Sequence, residues 1–293
     1  MTIENINPLS PSKEKLKNLV DHFQNGRFTE AETIAKSITK EFPFHQFAWK
    51  ILGAVFKQTG RINESLTFMH KSVQLDPQDA EAHNNLGVIY QELGRLEDAE
   101  ASFTQATILQ TRYVEAFSNL GNILKDQEKF EKAVNAYQKA IFINPNYSDA
   151  YYNMGLTLKL LGKLEESKAC YTKAIELNPN HSKAYNNLGN VLQEKGETEE
   201  AILAYKQALL INPDYIEAYN NIGKSLKTQG KLEESIKSFK KALSINPNYF
   251  YAYNNIGNAL KDQGKLEDSI ESFKNALLIN PDYSDAYNNL GNA

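Results

Sequence analysis

Catalysis needs titratable or nucleophilic groups that converge on one point, and this sequence offers few. Its five histidines, His22, His45, His70, His83 and His181, share no spacing that would gather a metal ion or a proton relay. The single cysteine, Cys170, stands where equivalent segments place Ala136, Ala204 or Ser102, so it reads as a small-residue substitute and not as a nucleophile. What the sequence repeats is asparagine. Asn85, Asn119, Asn153, Asn187, Asn221, Asn255 and Asn289 recur at intervals of 34 residues. Asn84, Asn186, Asn220, Asn254 and Asn288 precede members of this series, and Asn122, Asn190, Asn258 and Asn292 follow three residues on. A carboxamide donates and accepts hydrogen bonds but neither titrates nor attacks. Its chemistry is recognition, and a row of amides can hold an extended peptide by its main chain, largely regardless of sequence.

The elements that position this row follow the same period. The triplet Asn-Leu-Gly or Asn-Ile-Gly occurs at 85–87, 119–121, 187–189, 221–223, 255–257 and 289–291, and Asn153-Met154-Gly155 fills the gap. Pro43, Pro77, Pro145, Pro179, Pro213, Pro247 and Pro281 keep the same frame, which only Thr111 interrupts. With the proline as position 32, seven repeats span 46–79, 80–113, 114–147, 148–181, 182–215, 216–249 and 250–283 (repeats 1 to 7). A divergent repeat at 12–45 precedes them, after an expected flexible tail of residues 1–11, and 284–293 opens an eighth with its first helix alone.

In repeat 5, Tyr185, Leu188, Gly189 and Leu192 fall at i, i+3, i+4 and i+7, the stripe of an amphipathic helix. Gly196 ends that helix, and Glu199 and Glu200 suit the positive end of a second. Ala201, Tyr205 and Ala208 form the second stripe before Pro213 closes the repeat. Each repeat is therefore predicted to be a helix, a tight turn and a second helix. All 15 glycines sit in this frame, at position 8 or in the turn, and none remains for a phosphate-cradling loop.

The pattern aromatic-x-x-Leu-Gly-x-x-Leu/Tyr, then Ala, Tyr/Phe, Ala and Pro, resembles the tetratricopeptide repeat over 46–293, with 12–45 extending it. The resemblance implies an all-α fold, a right-handed α-solenoid of stacked 34-residue antiparallel helix-turn-helix units whose first helices line a concave groove. The asparagine row is also similar to that of the repeat arm of O-linked N-acetylglucosamine transferases, where such residues grip substrate polypeptide.

Placing positions 4, 7, 8 and 11 toward the core leaves 2, 5, 6, 9, 12 and 13 on the opposite face. Asparagine costs about 0.5 kcal/mol against alanine in a helix, so its repetition there needs an offsetting gain. Two roles stay open and can coexist: ligand contact, and hydrogen bonds that set the stacking of adjacent repeats. Position 12 adds Lys57, Lys125, Lys159, Lys227 and Lys261, and position 2 is mostly acidic at Glu81, Glu115, Asp149, Glu217 and Asp285. Macrodipole complementarity accounts for both rows, although the lysines also face the groove. The family's clamp for C-terminal carboxylates needs basic residues where this chain has asparagine. Repeat 4 departs from the array with Tyr152, Leu156 and Leu160 at positions 5, 9 and 13, an apolar stripe of the form expected for a side-chain anchor. Phe47, Ile51 and Ala54 make a second apolar patch.

A net charge of −4 with acids and bases interspersed disfavours nucleic acid, and no apolar run is long enough to span a membrane. Met1 to Pro8 lacks the pattern of a signal peptide, and one cysteine fits a reducing, cytoplasmic setting. The expected function is a non-catalytic scaffold that binds protein or extended peptide and takes no cofactor. The alternative is the substrate-recruiting arm of a larger enzyme, such as a glycosyltransferase or sulfotransferase, since 284–293 leaves Tyr287, Leu290 and Gly291 without a covering helix. The same uncovered face is expected to support self-association.

Overall fold

The structure is a computed structural model that describes residues 10–293. Among these residues all regular structure is α-helical, in seventeen helices that pack as consecutive antiparallel pairs. Residues 1–9 of the expected tail lie outside the described residues; Pro11 is buried, and Ser12 caps the first helix by accepting from Lys15 N at 3.2 Å.

The chain divides into two compact bodies, 1–145 and 146–293. The N-terminal body holds α1 (Lys13–Gln24), α2 (Phe28–Glu41), α3 (Gln46–Gln58) and α4 (Ile62–Leu75). It continues with α5 (Ala80–Glu92), α6 (Leu96–Leu109), α7 (Val114–Asp126) and α8 (Phe130–Ile143). The C-terminal body begins with α9 (Ser148–Leu160), α10 (Leu164–Leu177), α11 (Ser182–Glu194) and α12 (Thr198–Ile211). It ends with α13 (Ile216–Thr228), α14 (Leu232–Ile245), α15 (Phe250–Asp262), α16 (Leu266–Ile279) and α17 (Ser284–Gly291). Odd-numbered helices are the first helices of their repeats and even-numbered ones the second. In repeats 1 to 7 each helix packs most heavily on its hairpin partner, and within a body each second helix packs next on the first helix that follows it.

One contact explains the hairpins. The position-8 glycine lets the ring at position 24 lie directly on the first helix. A Cβ on Gly189 would sit 2.5 Å from the Tyr205 ring, and on Gly223 2.5 Å from Phe239. The rings this admits, Phe103, Tyr137, Tyr171, Tyr205, Phe239 and Phe273, are among the largest fully buried side chains. Burying such a side chain stabilises by about 1.5–3 kcal/mol. Where position 20 is serine it adds a clamp: Ser65, Ser167, Ser235 and Ser269 donate to the carbonyls of Gly53, Gly155, Gly223 and Gly257 at 2.6–2.8 Å.

The hairpin turn is a left-handed helix cap. In repeat 4, Gly162 has φ +72°, its N–H bonds Lys159 O at 2.9 Å, and Lys163 N bonds Leu158 O at 2.9 Å. Between repeats, Asn178, Asn212, Asn246 and Asn280 accept from the backbone N–H two residues on, closing the turn around each proline. Repeat 3 keeps the hairpin turn without glycine: Glu128 takes φ +60°, and Lys129 N still bonds Leu124 O at 2.8 Å. A side chain in this region costs about 1–2 kcal/mol. Glu128→Gly is expected to raise stability by about 1 kcal/mol, the lost strain exceeding the added freedom of the unfolded chain. An unchanged or lower denaturation midpoint would contradict this.

Candidate functional site

The face built by the first helices carries the asparagine row, and all seven position-6 residues, Asn85 to Asn289, are half-exposed there. Within each body these amides reach back to position 5 of the preceding repeat. Nδ2 of Asn119 donates to Asn84 Oδ1 at 3.1 Å, Asn221 to Asn186 at 3.1 Å, Asn255 to Asn220 at 2.8 Å and Asn289 to Asn254 at 2.9 Å. Asn187 donates to the Tyr152 hydroxyl at 3.2 Å. Of the two roles open to the row, the stacking role is therefore present. The ladder uses N–H groups, and Oδ1 of Asn119, Asn221, Asn255 and Asn289 accepts no hydrogen bond among the described residues.

Position 5 is turned away from the open face in most repeats, Tyr152 (half-buried) and Asn288 (exposed) being the exceptions. Asn84, Ser118, Asn186, Asn220 and Asn254 are buried, because a first helix packs on the neighbouring first helix as well as on its own partner. A helical wheel drawn for one hairpin counts too wide an open face. At position 9, Asn122 and Asn190 turn inward with their Oδ1 atoms, which accept from the hydroxyls of Tyr137 and Tyr205 at 2.8 and 2.9 Å. Asn258 is half-exposed, and its repeat carries at position 24 Phe273, which has no hydroxyl to offer.

The position-12 lysines are mostly engaged. Lys57, Lys159 and Lys227 pair with the position-13 acids of the following repeat, Glu92 at 3.1 Å, Glu194 at 2.7 Å and Asp262 at 2.8 Å. Lys125 pairs with its neighbour Asp126 at 3.4 Å, and Lys261 donates to Asn292 O at 2.6 Å. Macrodipole complementarity alone missed this cross-repeat bracing, although the i, i+35 spacing of Lys and acid was legible.

Repeat 4 carries the exception. Tyr152 is half-buried, with its ring 4.5 Å from His181 and 6.0 Å from Tyr171 between centroids. Leu156 is half-exposed and Leu160 is 61% exposed. Because Leu156 replaces the position-9 asparagine, the fully buried Tyr171 hydroxyl has no hydrogen-bond partner. The nearby Ser167 hydroxyl slightly favours the ionised form, but it gives its own proton to Gly155 O and does not meet the tyrosine at hydrogen-bonding geometry. Burial raises the Tyr171 pKa, so the hydroxyl stays neutral. Tyr205→Phe is expected to cost about 1 kcal/mol, whereas Tyr171→Phe raises stability by a similar amount. Chemical denaturation of the two variants tests this, and equal effects would refute it.

Cys170 is buried, and burial, helped by Glu166, pushes its thiol up to about 11, away from nucleophilic use. Among the described residues no group of three or more His, Cys, Asp or Glu could hold a metal ion. His70 bonds the Tyr90 hydroxyl at 2.8 Å, and His181 caps α11 by accepting from Ala184 N at 3.3 Å. Burial lowers the pKa of His181, as it does for His45 and His70. The unfolded chain therefore takes up protons near pH 6.5, before the folded one, and stability falls as pH drops below that value. Thermal melts are expected to shift downward from pH 7 to 5, and less so in His181→Asn, which caps without titrating. Identical shifts in both proteins would remove His181 from the account.

Two cavities open on the first-helix face. One, of about 230 Å³, lies in the N-terminal body among Phe23, Lys50, Ile51, Ala54, Asn85 and Val88. The other, of about 340 Å³, lies in the C-terminal body among Lys159, Asn190, Glu194, Asn221 and Lys224.

This architecture has known counterparts. The family model described as TPR repeat matches residues 53–94, 121–162, 189–230, 224–264 and 257–293. Models described as tetratricopeptide repeat match 80–113, 148–181 and 170–203. The chain belongs to the tetratricopeptide repeat family. Among similar solved structures, MamA is 27% identical over 55% of this chain and 94% of its own, with a TM-score of 0.52. YrrB, described as a TPR protein with an unusual peptide-binding site, is 24% identical over 64% of this chain and 96% of its own, with a TM-score of 0.53. PilF of Pseudomonas aeruginosa is 19% identical over 75% of this chain and 97% of its own, with a TM-score of 0.62, and shows the shared fold alone. No curated protein matches the sequence significantly. No helix among the described residues is long and apolar enough to cross a membrane.

Proposed function

We propose that this tetratricopeptide repeat chain is a non-catalytic scaffold whose first-helix face binds extended polypeptide. The open Oδ1 atoms of the asparagine row meet main-chain N–H groups, and the stripe of Tyr152, Leu156 and Leu160 seats one apolar side chain. The observation that carries this reading is the unpaired Tyr171 hydroxyl. An asparagine at position 9 pairs the equivalent hydroxyls of Tyr137 and Tyr205, so Leu156 leaves a buried polar group unsatisfied, a cost of about 1–3 kcal/mol. A leucine that costs stability and presents apolar surface beside half-exposed amides is what a contact residue looks like. Asn153 and Asn187 flank it, Lys159 lies one turn away in its ion pair, and a reducing compartment such as the cytoplasm suits the single buried thiol.

The test uses a peptide selected on the protein from a random display library. Leu156→Asn is expected to raise stability by about 1 kcal/mol, by pairing Tyr171, while weakening the peptide. Tyr152→Ala with Leu156→Ala is expected to cost about 1–2 kcal/mol of binding. Gained stability with unaltered affinity in Leu156→Asn would place the contact elsewhere.

A further inference from the structure

The cavity in the N-terminal body lies where Lys50 takes the position-5 place of the amide ladder. Its apolar lining comes from three first helices: Phe23 of α1, Ile51 and Ala54 of α3, and Val88 and Ile89 of α5. Met69 of α4, which packs under Gly53, closes the floor. At about 230 Å³ it exceeds several water volumes of roughly 30 Å³ each and has room for one large aliphatic or aromatic side chain. Asn85 lies on its rim. In the ladder, a position-6 amide donates to position 5 of the preceding repeat, but here position 5 is Lys50, which can only donate.

The Lys50 ammonium is already held by Asp79 at 2.9 Å and Glu81 at 2.7 Å. Burial opposes its charge, but the two carboxylates outweigh that and keep its pKa above the usual value. Asn85 consequently makes no side-chain hydrogen bond among the described residues, and both its N–H and its C=O groups are open. The charges around the cavity are unequal. Asp79 and Glu81 face one ammonium, and Glu81 is 61% exposed, whereas Lys57 at the other side is balanced by Glu92.

We infer that this cavity is a second, specific subsite for extended polypeptide, taking a leucine-, methionine- or phenylalanine-sized side chain with a basic residue beside it. Asn85 grips the main chain of the inserted residue with both ends of its amide, donating to its carbonyl and accepting from an N–H. Glu81 receives the neighbouring lysine or arginine. The inference rests on the proposed polypeptide-binding role of the first-helix face and adds which side chains one stretch of it selects. The residues involved belong to a different body from Tyr152 and Leu156, so the two sites are separable by mutation.

The experiment measures fluorescence anisotropy of labelled octapeptides carrying a central Leu-Lys, Ala-Lys or Leu-Glu pair, with the full chain. Leu-Lys is expected to bind at least tenfold more tightly than the other two. Ala54→Trp fills the cavity and is expected to remove that preference; Asn85→Ala weakens Leu-Lys about tenfold, and Glu81→Gln erases the discrimination between Leu-Lys and Leu-Glu. Because Asn85 has no partner to lose and alanine is the better helix former, Asn85→Ala does not lower the melting temperature, whereas Asn221→Ala lowers it. If peptides bind and respond to Tyr152→Ala with Leu156→Ala but not to Ala54→Trp or Asn85→Ala, the subsite is overturned while the broader function stands. If no peptide of the set, nor any from the display selection, binds, both fall.

Discussion

The contact between the position-8 glycine and the position-24 ring is the constraint on which everything else rests. With a Cβ 2.5–3.0 Å from ring or methionine atoms, no larger residue fits without moving the second helix away from the first. That approach sets the depth of the hairpins of repeats 1 to 7, and it fixes which first-helix residues turn toward the ring and which turn away. Position 9, next to the glycine, lies at the edge of the ring. It therefore decides whether a tyrosine hydroxyl is satisfied, as at Asn122 and Asn190, or stranded, as at Leu156.

Stacking of one repeat on the next adds a second layer of interactions, and these are polar. Amide bonds run from position 6 back to position 5, and ion pairs run from position 12 forward to position 13. The exposed ion pairs contribute little individually, since solvent screens them. The half-buried amides matter more, because a broken bond leaves a polar group partly desolvated. The same asparagines thus both fasten the array and shape its open face. Their N–H groups serve the fold, while Oδ1 of Asn119, Asn221, Asn255 and Asn289 accepts no hydrogen bond among the described residues.

Two irregularities in that ladder coincide with apolar surface on the face. In repeat 4 the position-5 residue is Tyr152, whose hydroxyl accepts from Asn187 while its ring packs on His181. In repeat 1 it is Lys50, whose ammonium is drawn off to Asp79 and Glu81 and leaves Asn85 without a partner. Where position 5 is asparagine, the following amide answers it with its N–H. A change at one buried position alters what the next repeat presents, which is how a regular array acquires local specificity.

Helix, turn and helix were legible in the sequence because each is a local matter: the i, i+3, i+4, i+7 stripe, the left-handed turn and the proline act within one repeat. Even Glu128 obeys, its backbone held to the glycine conformation by the hairpin around it. The asparagine row and the Tyr152, Leu156, Leu160 stripe were also visible as periodicities and departures from them. The destination of each polar group was not, because it depends on a neighbour 29 to 35 residues away. A wheel for one helix put position 5 in the open, whereas stacking buries it. Nor does any local pattern reveal that Tyr171 lacks a partner or that Asn85 is released by Lys50. Composition and period decided the fold; only the meeting of successive helices decided which amides are spent on the structure and which remain open, since hydrogen-bond satisfaction is a property of pairs of surfaces and not of a single chain segment.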